Sequence, residues 1–418
     1  MPVGADDSTG YYAGRSRRGV LDMRIGLNLL PAVPGIGGGW TYYANVLRAL
    51  AIHGDEHEYV VFMTKASRPI VPDVPNFRNV ELPFRADWRS LRVAVESTLF
   101  PALARSENLD CIHHFAGGLP FLSTRPAVVT IHDLIVIERP NEFPLLKARY
   151  VRLMQRRATQ LADILAPVSR STAARLKTVF GISDDRMEIV PAGVASHFTR
   201  APTPAVDAFR RKYGLPSAFW LYVAEPYPHK NHALLLNALV ELRRRSSATW
   251  PLVLRGTLTP ALQWLIKSSG ASADVVVLPH LNDEEMALLY SSASALVFPS
   301  LHEGGGLPVI EAMACGCPVV ASDIPTTREF AGPGAMTFDP HDFESLVTAM
   351  QRCQESSELR RKLVRNGMLA AAKLRPEVVA NACLTAYERA ARITRGPVPG
   401  VADTGTDRRD ARVATVRR

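Results

Sequence analysis

The stretch HEGGGLPVIEAMACGCPVVAS, residues 302–322, decides the fold of this chain. The apolar run before it, residues 295–299, is typical of a buried strand, and the stretch itself continues into a helix. Gly316 and Pro318 are expected to end this helix before a second apolar strand. A strand, a glycine loop, a helix and a strand in this order predict one unit of a parallel α/β sheet.

The loop in this stretch consists of three glycines, Gly304, Gly305 and Gly306. Glycines let backbone amides approach a ligand closely, and a helix start presents N–H groups and partial positive charge to an anion. Glu303 and Glu311 can address two ends of one ligand, such as the hydroxyl groups of a nucleotide sugar. A glycine run alone fits a purely structural connection equally well.

The spacing of the two glutamates makes the pattern more specific. Seven residues separate Glu303 from Glu311, and the whole motif resembles the signature of retaining glycosyltransferase family 4. The resemblance implies the GT-B fold, an α/β architecture of two Rossmann-like domains facing an interdomain cleft. It implies that Glu303 is a catalytic group beside the donor sugar and that Glu311 binds the ribose. The amides of the glycine loop and Leu307 would contact sugar and phosphate, and Gly305, where the family usually has an aromatic residue, implies a looser pocket.

A lysine follows another apolar strand, residues 219–224, and precedes a helix. A cation at a helix start opposes the helix dipole unless an anion is bound there. This lysine is Lys230. In the family that the chain resembles, the lysine at this position neutralises the donor diphosphate. The family often carries an arginine just before it, which this chain lacks. Arg255, at the end of the next apolar strand, is therefore the candidate for the second positive charge.

A histidine and an aspartate come directly after the apolar strand of residues 126–131. Ligands of parallel α/β sheets bind at the carboxyl ends of strands. In the resembling family a histidine here reaches the donor sugar, which makes His132 a candidate catalytic residue. Asp133 either belongs to the acceptor or phosphate side of the site or caps the next helix. For His113 and His114 we favour core or loop roles.

The first predicted strand, residues 23–30, is followed by a predicted loop at residues 31–39. A dinucleotide-binding loop would need a glycine where Trp40 stands, which disfavours an oxidoreductase. In the resembling family this loop faces the cleft. The residues expected on the acceptor or phosphate side are Gly37, Gly38 and Gly39.

Residues 146–157 form a basic predicted helix without an acidic residue. Leu146, Tyr150, Leu153 and Met154 follow helical spacing, and five Lys and Arg residues lie among them. The segment could contact an anionic membrane or hold an acceptor phosphate, or it could be an ordinary solvated helix face.

The chain has 418 residues, 47% hydrophobic and 21% charged, which is enough for two domains of about 150–200 residues each. We expect a disordered extension (1–22) and an N-terminal Rossmann-like domain on the acceptor side (23–200). A linker (201–216) then leads to a C-terminal Rossmann-like domain that binds the nucleotide sugar (217–378). A helix (379–395) is expected to pack back on the first domain, before a disordered tail (396–418).

The composition of the chain indicates where in the cell the protein is expected and which binding partners suit it. No signal peptide is expected in residues 1–19, and no apolar run is long enough to span a membrane. Five cysteines without metal-ligand spacing indicate reduced thiols of a cytoplasmic protein. We expect neither a metal nor a cofactor. The net charge of +9 suits nucleotides or peripheral contact with the inner face of an anionic membrane, whereas nucleic acid is disfavoured because no binding motif is present.

The functional prediction is transfer of a hexosyl unit from a nucleoside-diphosphate sugar to a hydroxyl of a saccharide or lipid-linked acceptor. Retention of configuration rests on the resemblance alone. General likeness to mannosyltransferases suggests GDP-mannose, with UDP- or dTDP-sugars open. The alternatives are a GT-B-fold nucleotide-sugar epimerase, which would need no acceptor, and a non-catalytic nucleotide-sugar-binding protein.

Overall fold

The structure is a computed structural model that describes residues 22–34, 37–122 and 126–395. The predicted disordered extension, apart from Asp22, and the predicted disordered tail lie outside these residues.

Six parallel strands form the first sheet. They are β1 Arg24–Asn28, β2 Glu58–Met63, β3 Phe77–Glu81, β4 Cys111–His114, β5 Ala127–Ile131 and β6 Ile164–Pro167. The α-helices of this half are α1 Gly37–His53, α2 Arg89–Ser97, α3 Leu99–Ser106, α4 Ile135–Glu138, α5 Leu145–Leu161 and α6 Arg170–Phe180. The strand order is β3-β2-β1-β4-β5-β6.

A second sheet of six parallel strands follows. Its strands are β7 Trp220–Val223, β8 Leu252–Arg255, β9 Val275–Leu278, β10 Ala295–Phe298, β11 Val319–Ser322 and β12 Ala335–Phe338. The helices are α7 Thr203–Tyr213, α8 His232–Arg245, α9 Pro260–Ser268, α10 Asp283–Ser292, α11 Leu307–Ala314, α12 Pro325–Phe330, α13 Phe343–Glu355, α14 Ser357–Ala371 and α15 Pro376–Arg395. The order is β12-β11-β10-β7-β8-β9.

The two sheets repeat one topology. In each sheet, the first strand lies between the second and the fourth. The strand order therefore changes direction between the neighbouring strands β1 and β4, and likewise between β7 and β10. Parallel α/β sheets bind ligands in the crevice at such a switch point, outside the carboxyl ends of the strands. The prediction of two Rossmann-like domains is confirmed.

Both sheets are covered by helices, and this explains their composition. Strands buried on both faces are rich in apolar side chains, and β4, β5, β6, β7, β10 and β11 are buried along their full length. Strand β3 differs because it lies at the sheet edge, with Phe77 buried and its polar neighbours exposed.

The last described helix returns to the first half of the chain. Helix α15 packs on α1 and on strands β4 to β6. Arg389 donates to the Met187 carbonyl and to the Glu188 carboxylate, both at 2.7 Å. The buried Tyr387 hydroxyl lies 2.8 Å from Nδ1 of His113. The C-terminal helix thus completes the first domain.

One predicted boundary is wrong. The loop expected up to residue 39 ends earlier, because Gly37 begins α1 and the three glycines form its first turn. Among the described helices, none is both long and apolar enough to cross a membrane.

Candidate active site

A cleft of about 1300 Å³ lies between the two sheets, at the carboxyl ends of their strands. It brings together nearly all the residues singled out in the sequence. Those that line it are Gly38, Gly39, His132, Asp133, Lys230, Arg255, Glu303, Gly304, Gly305, Gly306, Leu307 and Glu311. Gly37 directly precedes Gly38 at the start of α1.

Lys230 and Glu303 form the charged centre of this cleft. Lys230 follows β7 and Glu303 follows β10, and these strands are neighbours at the switch point. The Lys230 Nζ lies 2.5 Å from the Glu303 Oε1, and both side chains are mostly buried. The same Nζ lies 5.4 Å from the ring centroid of Phe298. The order of the strands therefore brings residues from two distant sequence motifs together as one ion pair.

The glycine loop turns the chain from Glu303 into α11. Gly306 has φ +59°, a left-handed conformation that favours glycine, and its carbonyl accepts from the Val309 N–H at 3.0 Å. The Thr326 hydroxyl donates to the Glu303 carbonyl at 2.7 Å. Leu307, in the first turn of α11, lines the cleft, so the helix start with its partial positive charge faces the cleft.

His132 follows β5 on the opposite wall. Its Nε2 donates to the Phe115 carbonyl at 2.8 Å, which leaves Nδ1 without the proton in the neutral ring. Burial lowers the pKa of His132, although Asp133 and the Phe115 carbonyl oppose this effect. The Tyr42 ring packs edge-on at 4.9 Å. The imidazole is therefore held neutral and fixed in orientation.

The glycine loop touches the first domain directly. A Cβ added at Gly304 would lie 1.8 Å from the His132 carbonyl oxygen, so only glycine fits there. A Cβ added at Gly305 would lie 3.2 Å from the Ala192 Cβ. The looser pocket expected at Gly305 is therefore wrong in this closed arrangement, because Ala192 and Val168 occupy that space.

A second contact holds the cleft closed. The Glu329 carboxylate of α12 accepts from the backbone N–H groups of Arg170, at 2.8 Å, and Ser171, at 3.0 Å. These N–H groups belong to the first turn of α6, whose N-cap is Ser169. A carboxylate of the second domain thus meets the positive end of a first-domain helix.

Glu311 lies one turn inside α11 and is 5% exposed. Its Oε2 accepts from the Tyr290 hydroxyl at 2.9 Å. Burial raises the pKa of Glu311 to about 8, while the Tyr290 hydrogen bond and the charge of Arg255 act to lower it. Burial therefore favours the protonated form of this carboxyl near neutral pH. Sequence reasoning missed Tyr290, whose position in α10 carries no signal of this contact.

Arg255 and Asp133 already have partners within the protein. The Arg255 Nη2 lies 2.9 Å from the His280 Nδ1, and its Nη1 lies 4.0 Å from the Glu225 Oε1. The Asp133 Oδ1 accepts from the Ile135 N–H at 3.1 Å. This contact closes an Asx turn just before α4, whose N-cap is Leu134, so Asp133 does not cap the helix as expected. Asp133 also borders the cleft.

Further cleft residues had no role in the sequence interpretation. His229 directly precedes Lys230 and is buried, with Nδ1 4.0 Å from the Glu142 Oε2 of the first domain. The Arg48 Nη2 lies 3.0 Å from the Asp283 Oδ2, which again joins the two domains. Contacts between distant segments leave no local pattern, so these pairs could not be found in the sequence.

No group of three or more His, Cys, Asp or Glu side chains among the described residues is arranged to hold a metal ion. All five cysteines are buried free thiols.

Two Rossmann-like domains that face a common cleft define the GT-B fold. The fold matches that of sucrose-phosphate synthase from Thermosynechococcus elongatus, with a TM-score of 0.72 at 22% identity. That match covers 88% of this chain and 98% of the other.

Two family models match the chain: "Glycosyltransferase Family 4" over residues 36–198 and "Glycosyl transferases group 1" over residues 206–369. The chain belongs to this family of hexosyltransferases. It is 26% identical over 266 residues to O-antigen chain mannosyltransferase B of Escherichia coli, covering 63% of this chain and 70% of that protein. It is 31% identical over 280 residues to the MMP alpha-(1->4)-mannosyltransferase of Mycolicibacterium hassiacum, covering 63% and 66%.

Proposed function

We propose that this glycosyltransferase moves a mannosyl unit from GDP-mannose to a hydroxyl of a saccharide or lipid-linked acceptor, with retention of configuration. The sugar is supported by the two relatives named above, both of which are called mannosyltransferases. UDP- and dTDP-sugars are the alternative donors.

The observation that carries the proposal is the contact between Lys230 and Glu303 beside the start of α11. A bound diphosphate would draw the ammonium group of Lys230 towards itself and free the Glu303 carboxylate to position the donor sugar. Breaking the anomeric C–O bond places negative charge on the leaving diphosphate, which preorganised positive groups stabilise. Arg255 would supply the second positive charge. Neither a metal nor a cofactor is needed in this scheme.

The other residues act around this centre. Glu311 would bind the ribose hydroxyls, and the amides of the glycine loop and Leu307 would contact sugar and phosphate. His132 would lie at the reacting face, while Asp133 and the helix start at Gly37–Gly39 would border the acceptor. Closure of the domains would exclude water and favour transfer over hydrolysis.

Thermal shifts with GDP, UDP and dTDP test the donor. At equal ligand concentrations the nucleotide with the lowest Kd stabilises the native state most, by about 2.7 kcal/mol when its concentration is 100 times its Kd, so the preferred base gives the largest rise in Tm. Product analysis with GDP-mannose, in EDTA and with or without a saccharide acceptor, then tests the reaction. We expect acceptor-dependent transfer that persists in EDTA. Conversion of the sugar nucleotide without acceptor would indicate an epimerase, and binding without turnover a non-catalytic protein.

A further inference from the structure

The outer face of α5 exposes large apolar side chains. Leu145 is 63% exposed, Leu146 81%, Tyr150 38% and Leu153 46%. At 100° per residue these four positions fall on one side of the helix. A solvated helix normally carries polar residues on that side, so this face is unusual.

The same face is strongly basic. Arg149 and Arg156 are exposed between the apolar residues, and the whole of Leu145–Leu161 contains no Asp or Glu. The five cations of the helix are Lys147, Arg149, Arg152, Arg156 and Arg157.

A neighbouring loop continues the surface. Phe121 is 47% exposed and Leu122 58%. The Arg157 Nη2 donates to the Phe121 carbonyl at 2.9 Å, and the Arg157 guanidinium lies 4.8 Å from the centre of the Phe121 ring. This contact holds the loop beside the end of α5, so the apolar and basic surface spans two segments. We call these exposed residues together the α5 face.

The helix is firmly held from its other side. Ala148, Met154 and Ala158 are buried against the first domain, so the α5 face is presented by a fixed helix. The beginning of the helix borders the cleft, because Phe143 and Lys147 are among the lining residues. A surface that contacts the α5 face would therefore lie beside the mouth of the cleft.

We propose that the α5 face docks on an anionic lipid bilayer. The leucines and Tyr150 would enter the headgroup region, and the arginines would meet the negative lipid phosphates. Charge complementarity selects this partner: exposed leucines flanked by cations, with no acidic residue in the helix, match an anionic surface with an apolar interior. The proposal holds whichever nucleotide sugar is the donor.

Sedimentation of the full chain with vesicles tests this. The probes are vesicles of phosphatidylcholine alone and vesicles with one third phosphatidylglycerol. We expect binding only to the anionic vesicles, weakened by salt. Each interfacial arginine contributes about 1 kcal/mol, or roughly fivefold in Kd, and a leucine at least as much. The double variant Arg149→Gln/Leu153→Gln should therefore weaken binding by about 25-fold or more.

A matched control uses the same residue types at the same spacing on α14, where Arg365 and Leu369 are also exposed. Arg365→Gln/Leu369→Gln should bind vesicles like the parent, with Tm verifying that both variants fold. Equal binding by both variants, or no binding to anionic vesicles, overturns the proposal. A loss of self-association in the α5 variant alone, without an effect on vesicle binding, would assign the face to a second copy instead.

Discussion

The ammonium group of Lys230 contacts the carboxylate of Glu303 across 2.5 Å, although 72 residues separate them in the sequence. Each follows a strand of the second sheet, and the strand order β10-β7 makes their ends adjacent. In this ion pair each group neutralises the other. An anion that binds Lys230 must therefore compete with the Glu303 carboxylate.

Lys230→Ala should weaken binding of a nucleoside diphosphate by about 10- to 100-fold, because a hydrogen bond to a charged group contributes about 1.5–3 kcal/mol. Binding of the corresponding nucleoside, which has no phosphate, should change little. Isothermal titration with both ligands measures the difference. Lys212→Ala is the control, since that exposed lysine pairs with Glu285 on α10. Equal losses for nucleoside and diphosphate would contradict the assignment of Lys230 to the phosphate.

Glu311→Gln should alter the pH dependence of stability. The native pKa of Glu311, about 8, lies above its value in the unfolded chain, so the native state binds more protons between these values. The free energy of unfolding should therefore fall as pH rises from about 5 to 8, by up to a few kcal/mol from this group. The variant should lose that contribution in urea denaturation across this range. Glu358→Gln, on the exposed face of α14, should keep the parent's slope. An unchanged slope in Glu311→Gln would show that the carboxyl is ionised.

Gly304→Ala should prevent full closure of the cleft, since the new Cβ would overlap the His132 carbonyl. Turnover should fall by at least 100-fold, because misplacement by about 1 Å costs that much, while the fold of each domain persists. Gly305→Ala is the milder variant for comparison, because its Cβ would require the neighbouring Ala192 to move by only a few tenths of an ångström. X-ray scattering should report a larger radius for Gly304→Ala. Equal activity in the two variants would mean that this contact does not limit closure.

Glu329→Ala should loosen the domain contact by removing the acceptor of the Arg170 and Ser171 amides. Loss of such a cap costs about 1 kcal/mol. Ser169→Ala removes the cap that α6 has within its own domain, where the hydroxyl accepts from Thr172 at 3.0 Å. Both variants should lower Tm, but only Glu329→Ala should raise hydrogen exchange across the cleft. The same exchange pattern in both would assign Glu329 to helix stability alone.

The sequence predicted those parts whose signals are local. The buried strands before Lys230, His132 and Glu303 are mainly apolar, and each is followed by the expected turn, so these elements were predicted correctly. Strand β3 was missed because only one of its residues is buried. The contacts of Tyr290 and Glu329 were missed because each joins segments that are distant in the chain. The roles of the cleft residues remain predictions.

Helix α15 makes the two domains inseparable as recombinant fragments. A fragment that ends at residue 200, just before the linker, would lack Tyr387 and leave the buried His113 without that hydroxyl partner. It would also expose the apolar surface that Val379, Cys383 and Ala390 cover. Separating the two domains therefore calls for a circular permutant or a co-expressed segment spanning residues 376–395, rather than simple truncation.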